Sequence, residues 1–256
     1  MNIREDAAQY YDIQNIPIDD VPFYRERVPG PDARILELGC GTGRVLLPLA
    51  RECAFIHGVD ASPAMLAYCR KKLDRAGIPP ESALITEGDI TTLDLNARFD
   101  LITAPFRVMQ NLETDAEVSA LMKVLRQHLA PRGTAILNAF RPFLSADEMR
   151  NSWCVPGEIL DGETKLPNGG RLVRSHRRPR IQPEPIVCYP ELIYRRYSAS
   201  GALEDEAILK IAMRCWYPDE LEKLVTDCGF QVINRWGGYQ GEAWGDGPEL
   251  VIQFAE

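Results

Sequence analysis

The chain has no C-x-x-C pair, no apolar run approaching the roughly 20 residues of a membrane span, and three histidines set far apart at His57, His128 and His176. Its seven cysteines, Cys40, Cys53, Cys69, Cys154, Cys188, Cys215 and Cys228, are odd in number and scattered. That pattern points to reduced thiols in an intracellular protein rather than a disulfide framework. Scattered histidines exclude a Cys/His metal set of the usual close spacing, so no metal is expected. The start, MNIREDAAQYYD, lacks a basic n-region followed by an apolar stretch, which leads to the expectation of a cytoplasmic protein with no membrane partner. Positive charge is also short: 29 Lys and Arg against 37 Asp and Glu leave a formal charge of −8. Phosphate backbones are bound by excess Lys and Arg, so nucleic acid is disfavoured and a small-molecule substrate fits better. The oligomeric state stays open.

What the chain does have is length and apolar content, 256 residues at 45% hydrophobic, enough to bury a sizeable core. From Arg34 to Phe140 short β-like runs (ARILEL, AFIHGVD, ALITEGD, FDLITA, GTAILNAF) alternate with helix-like stretches (VLLPLARECA, PAMLAYCRKKLDRAG, EVSALMKVLRQHL). Such alternation predicts βαβ units around a parallel sheet with helices on both faces. The punctuation agrees: Ser62-Pro63 caps a helix, Gly77-Ile78-Pro79-Pro80 stops it, and Pro131-Arg132-Gly133 separates helix from strand. Residues 151–215 instead read as strands joined by turns, an antiparallel insertion. Helix and strand resume with YPDELEKLVTDCGF, QVINRWGGY and ELVIQFA. The expected fold is α/β, a doubly wound, mostly parallel seven-stranded sheet carrying an antiparallel β insertion. Its expected parts are an N-terminal helical lid at 1–30, the main domain at 31–145 and 216–256, and the insertion at 146–215.

The stretch ILELGCGTGRV places Gly39, Gly41 and Gly43 where a strand turns into a helix. Open α/β sheets bind ligands at that carboxyl edge, and glycines allow both the positive φ of a tight turn and close approach of a flat ligand. A dinucleotide loop would be G-x-G-x-x-G. Here the position three after Gly41 is Arg44, and the pattern is G-x-G-x-G preceded by Glu37. Acids also end the next two predicted strands, at Asp60 and Asp89.

On these residues the chain resembles the class I S-adenosylmethionine-dependent methyltransferases, whose motif I looks like E-L-G-C-G-T-G. The resemblance is close over residues 33–140 and looser over the last helix and two strands. It implies a Rossmann-like methyltransferase fold and S-adenosylmethionine as cofactor. It further implies that Glu37, Gly39, Cys40, Gly41 and Gly43 shape the cofactor loop, with Asp60 and neighbouring Ala61 at the ribose. Asp89 and Ile90 would read the adenine edge, Met65 would pack on its face, and Ala104 and Pro105 would border the methionine portion. Segments such as DVPFYRERV and CWYPDELEKLVTDCGF…GGYQG are similar to small-molecule enzymes, the sugar N-methyltransferases and glycine N-methyltransferase-like proteins. The implied activity is methyl transfer to N or O of a small acceptor. Rival readings are a nicotinamide-dependent oxidoreductase and a non-catalytic activator subunit that keeps the cofactor pocket.

Methyl transfer from a sulfonium is an in-line displacement in which placement supplies much of the rate, so no obligatory base is expected. The catalytic residue stays unknown, with candidates Arg107, Gln110 and Asn111 after the fourth strand and Asn138 and Arg141 at the end of the fifth. Tyr10, Tyr11 and Tyr24 are candidate lid residues, Tyr11 the preferred one and a cofactor contact; Tyr239 is a weaker candidate. Five arginines in RLVRSHRRPR suit either phosphate or carboxylate recognition or a solvated edge strand. The fourth strand ends in APFR rather than [ND]-P-P-[YF], and no Pro-Cys dipeptide is present, which disfavours base and glutamine-amide methylation.

Overall fold

A central seven-stranded sheet is built from β1 (Arg34–Leu38), β2 (Phe55–Asp60), β3 (Ala83–Glu87), β4 (Phe99–Ala104), β5 (Leu129–Phe140), β11 (Gln231–Trp236) and β12 (Glu249–Ala255). The computed structural model describes residues 8–13 and 19–256. Strand order is β11-β12-β5-β4-β1-β2-β3. β1 to β5 run parallel, while β12 is antiparallel to β5 and β11 to β12. The order reverses between β1 and β4, the crevice where open α/β sheets take their ligands.

Both faces of this sheet are covered, and the strands show it in their alternation. Leu36 and Leu38 of β1, Ile102 of β4 and Leu137 of β5 join a core with the helices Asp115–His128 and Pro218–Asp227. Ile35, Leu101 and Ile136, one residue out of phase, join a second core with Leu66, Cys69 and Leu73 of the helix Pro63–Ala76. A period of two with both sets apolar is the mark of a sheet buried on both sides.

Helix ends follow local chemistry. Ser62 caps Pro63–Ala76 by accepting the Met65 N–H, and Gly77 closes it at φ 65°. Thr114 and Glu117 form a reciprocal capping box for Asp115–His128. The predicted helix VLLPLARECA gives just one regular turn, Leu46–Leu49. Past Leu49 the bonds tighten to the i→i−3 spacing, from the Arg51 N–H to the Pro48 carbonyl at 3.3 Å and from the Glu52 N–H to the Leu49 carbonyl at 2.9 Å, so the regular helix ends there.

The chain falls into two compact units, one of residues 19–143 and Cys215–Glu256, the other of residues 8–13 and Leu144–Arg214. The second holds an antiparallel sheet of β6 (Val155–Lys165), β7 (Arg171–Pro183), β8 (Ile186–Tyr197), β9 (Leu203–Lys210) and β10 (Met213–Arg214). β8 pairs with β7, β9 and β10, and β6 flanks β7. The arginine-rich strand β7 is therefore interior, not the edge strand that its charge suggested. Its guanidiniums meet carboxylates across the sheet: Arg171 with Glu163, Arg174 with Asp161, Arg177 with Glu158 and Glu191. Arg180 instead lies 3.4 Å over the Tyr189 ring.

The expected lid at 1–30 is divided between the units, and residues 1–7 and 14–18 lie outside the described residues. Residues 8–11 are helical, with Tyr10 stacked on Tyr194 at 5.7 Å and its hydroxyl donating to Asp205. Burial and that carboxylate raise the Tyr10 phenol to about 12. Tyr10 thus anchors its helical turn to the insertion sheet, and Tyr11 sits half-buried beside it.

His57 on β2 is buried, with Nε2 2.9 Å from Thr86 Oγ1 on β3. Burial first, then the charges of Arg34 and His128, lowers its pKa from 6.5 to about 4. The unfolded chain therefore takes up a proton that the folded chain refuses, and stability is lost as pH falls from 6.5 toward 4. The unfolding free energy from urea titrations should fall over that window by about a few kcal/mol at most, and the His57→Gln variant should show a flatter profile; an equally steep profile in the variant contradicts the assignment.

Candidate functional site

The turn after β1 is fastened to β2. The N–H groups of Gly39 and Cys40 both donate to the Val59 carbonyl, at 2.7 and 3.0 Å, and the Gly43 N–H returns to the Cys40 carbonyl at 2.9 Å. The Asp60 carboxylate completes the join, accepting the Gly41 N–H at 2.8 Å through one oxygen and the Ser62 N–H at 2.9 Å through the other. Asp60 is buried. A carboxylate offers about four acceptor positions, so two remain, which suits a ligand presenting a pair of hydroxyls.

The three glycines serve three different ends. All have positive φ, at 69°, 53° and 81° for Gly39, Gly41 and Gly43. A Cβ on Gly39 would lie 2.4 Å from the Val108 side chain, and one on Gly43 would lie 2.7 Å from Cys69 Sγ. Only at Gly41 does the added atom meet nothing within 4 Å. Of the three, only Gly41 leaves open space for the close approach expected of them all; its neighbours are small because protein packs against them.

Beside the loop, Glu37 is 2% exposed and its Oε2 has no hydrogen-bond partner. Burial raises its pKa well above the ordinary value, aided by Cys69, Asp20 and Asp60 and opposed by Arg44. An orphaned buried acceptor next to an open backbone bend fits a cationic ligand, whose charge would stabilise the carboxylate. Cys40 and Cys69 share a side-chain hydrogen bond that raises Cys40 and lowers Cys69. Arg44, just past Gly43, is paired with buried Asp20 through both guanidinium nitrogens.

At the tip of β3, Asp89 is exposed, with Oδ1 accepting both the Thr91 N–H at 2.8 Å and the Thr91 hydroxyl at 2.7 Å. The Gly88 N–H donates to the Asp60 carbonyl at 3.1 Å, so the two acid-bearing tips are adjacent. Met65 is buried at the start of its helix, Ile90 packs half-buried on the core, and Ala61 is exposed beside Asp60. Ala104 and Pro105 are buried at the end of β4, whose neighbour is β1. The structure therefore brings the glycine loop, Asp60, Asp89 and the β4 tip to one edge of one sheet.

The candidate catalytic residues are occupied with internal bonds. Asn138 is fully buried, accepting the Arg107 N–H at 2.9 Å and donating to Glu249 at 3.0 Å. Gln110 Oε1 accepts the Phe140 N–H at 2.7 Å, and Asn111 donates to the Val108 carbonyl at 3.0 Å. Arg141 donates to the Gly247 carbonyl at 2.6 Å. Tyr24 is buried and Tyr239 half-buried beside it, among Phe23 and Trp236, and burial raises both phenols. Glu249, which binds both Arg107 and Asn138, was missed from sequence; the only signal was an acid at the head of the apolar run ELVIQFA.

A seven-stranded sheet of this order, with a glycine turn after β1 beside the acid-tipped β2 and β3, has the class I methyltransferase architecture. Residues 35–133 match the family model for a methyltransferase domain, and the chain carries that domain. It is similar to the S-adenosylmethionine-dependent methyltransferases, which are enzymes. The chain is 24% identical to a dTDP-3-amino-3,6-dideoxy-alpha-D-glucopyranose N,N-dimethyltransferase of Streptomyces fradiae over 82% of this chain and 74% of that protein. It is 26% identical to a dTDP-3-amino-3,4,6-trideoxy-alpha-D-glucopyranose N,N-dimethyltransferase of Streptomyces venezuelae, over 87% and 85% of the two chains. Among solved structures, CalS10, an amino pentose methyltransferase from Micromonospora echinaspora, superposes with a TM-score of 0.70 at 23% identity, covering 100% of this chain and 98% of that one. Neither the oxidoreductase nor the activator alternative gains support from these matches. Among the described residues no helix is long and apolar enough to cross a membrane.

Two outcomes follow from the loop. Gly41→Ala should still fold, with a loss of unfolding free energy of about 1–2 kcal/mol, yet abolish measurable S-adenosylhomocysteine binding by calorimetry, whereas Gly43→Ala, equally strained and also crowded by Cys69, should lose about 2–4 kcal/mol in urea unfolding. The reverse ranking would show that the ligand lies elsewhere. Glu37→Gln should raise the melting temperature at neutral pH without donor, because a carboxyl with a raised folded pKa costs stability as pH climbs above its unfolded value; a lowered melting temperature would refute the cost assigned to burial.

Proposed function

We propose that the protein transfers the methyl group of S-adenosylmethionine to the amino nitrogen of an amino sugar carried on a nucleoside diphosphate. The observation that carries this reading is the span of the likeness: the sugar N,N-dimethyltransferases align over 82% and 87% of this chain, well beyond the methyltransferase domain and into the insertion. A β4 tip reading APFR, without the [ND]-P-P-[YF] of enzymes acting on planar amides and bases, agrees with an acceptor that is not planar.

In this proposal Asp60 accepts the ribose hydroxyls, Asp89 and Ile90 take the adenine edge, Met65 packs on its face, and Gly41 lies against the adenosyl portion. Glu37 faces the positively charged end of the donor. S-adenosylmethionine supplies an electrophilic methyl on a sulfonium. The protein's task is to hold the amine lone pair in line with the methyl–sulfur bond and to keep water out, where orientation supplies up to about 7–11 kcal/mol in favourable cases. Nitrogen attacks carbon, the carbon–sulfur electrons return to sulfur, and the new ammonium gives a proton to water. Arg107 and Arg141 cannot accept that proton, since guanidinium stays protonated. The lining role left to Arg107, Gln110, Asn111, Asn138 and Arg141 is to shape the β4 and β5 tips.

Incubation with S-adenosylmethionine and a panel of nucleoside-diphosphate sugars, read by mass spectrometry, tests the assignment. Amino sugars should gain one and then two methyl increments while the matching hydroxy sugars gain none. Methylation of the hydroxy sugars alone would contradict the choice of nitrogen.

A further inference from the structure

After β4 and Pro105 come two successive non-glycine residues in the left-handed region, Phe106 at φ 55° and Arg107 at φ 68°. L side chains resist that conformation, and it persists only where the surroundings impose it. Among the described residues the other two such positions, Asn96 and Arg132, are isolated. Here the surroundings form a closed ring of bonds. The Arg107 N–H donates to Asn138 Oδ1 at 2.9 Å, Asn138 Nδ2 donates to Glu249 Oε2 at 3.0 Å, and the Arg107 guanidinium returns to Glu249 Oε1 at 2.5 Å. Asn138 and Glu249 are buried. Burying Glu249 against the half-exposed Arg107 is a poor source of stability compared with apolar side chains of the same volume, so its use here calls for a gain in conformation.

The gain is visible in what the bend touches. Val108 fills the space that Gly39 leaves open, and the guanidinium of Arg44, the residue after Gly43, lies 5.3 Å from the centre of the Phe106 ring. Arg107 lies 5.6 Å from that ring centre and 5.1 Å from that of Phe140. The bend therefore abuts the glycine loop and carries an aromatic ring with it. An aromatic face attracts cations, and both the sulfonium of the donor and the ammonium of the product are cations.

We infer that Glu249, acting through Arg107 and Asn138, is a positioning residue for methyl transfer: it locks the left-handed bend at the β4 tip and so fixes the Phe106 ring beside the reacting sulfonium. The inference rests on the donor site proposed above. In the reaction the ring neither gains nor loses a bond; it faces the charge that passes from sulfur to nitrogen.

The test is the paired variant Arg107→Gly with Glu249→Gln, which removes both charges and gives the bend a residue that adopts positive φ freely. Its melting temperature should equal or exceed that of the wild type, S-adenosylhomocysteine affinity should be unchanged, and kcat on an amino sugar nucleotide should fall about 100-fold. Wild-type kcat in this variant overturns the inference, as does a fall in kcat that merely tracks losses of melting temperature and donor affinity. A second readout needs no acceptor. para-Fluorophenylalanine at position 106 should give a fluorine resonance that shifts differently with S-adenosylmethionine and S-adenosylhomocysteine, a distinction lost in the paired variant. No distinction in the wild type overturns the inference. If the distinction holds while no amino sugar is methylated, the inference stands and the acceptor proposed above fails.

Discussion

The carboxylate of Asp60 is the tie on which the site depends. One of its oxygens holds the Gly41 N–H of the turn after β1, and the other holds the Ser62 N–H that opens the next helix. Two loops from different βαβ units are thereby fixed to one buried carboxylate, one strand from the place where the strand order reverses. Charge-assisted hydrogen bonds from backbone amides are the strong kind, and the group that receives them keeps acceptor positions free. The same side chain can thus shape the cradle and meet a ligand, which makes the loop geometry and the ligand geometry one constraint.

Around that tie the protein accepts local costs. Glu37 is buried with an acceptor atom unsatisfied, and the β4 tip holds two side-chain-bearing residues in a conformation they resist. Such costs gather at sites where a ligand or a reacting group needs a prepared surface. Away from the site the accounting is ordinary: both sheet faces are sealed by apolar side chains, and the insertion carries its arginines opposite carboxylates.

Much of this was legible in the sequence where spacing along the chain fixed spacing in the fold. The glycines and the acids Asp60 and Asp89 fall at strand tips because short apolar runs alternate with capped helices, and parallel pairing then sets those tips side by side. Legibility failed where partners were distant. Arg107 and Asn138 stood out as polar residues near an expected pocket, yet the bonds that occupy them run to Glu249, 142 and 111 positions away. Arginines clustered on β7 suggested an exposed edge because a single strand gives no sign of which neighbours flank it, and β6 and β8 do. The short helix at Leu46–Leu49 was overestimated because an apolar pattern does not show where the bonds tighten to the i→i−3 turns that follow Leu49. The individual reasons for each glycine were hidden as well, since Val108 and Cys69 approach them from other segments.

The most direct test of the account is a crystal structure with S-adenosylhomocysteine bound. The ribose hydroxyls are expected within hydrogen-bond distance of the Asp60 carboxylate, with the adenosyl portion lying along the open side of Gly41. A ligand found in well-defined density away from both residues would contradict it.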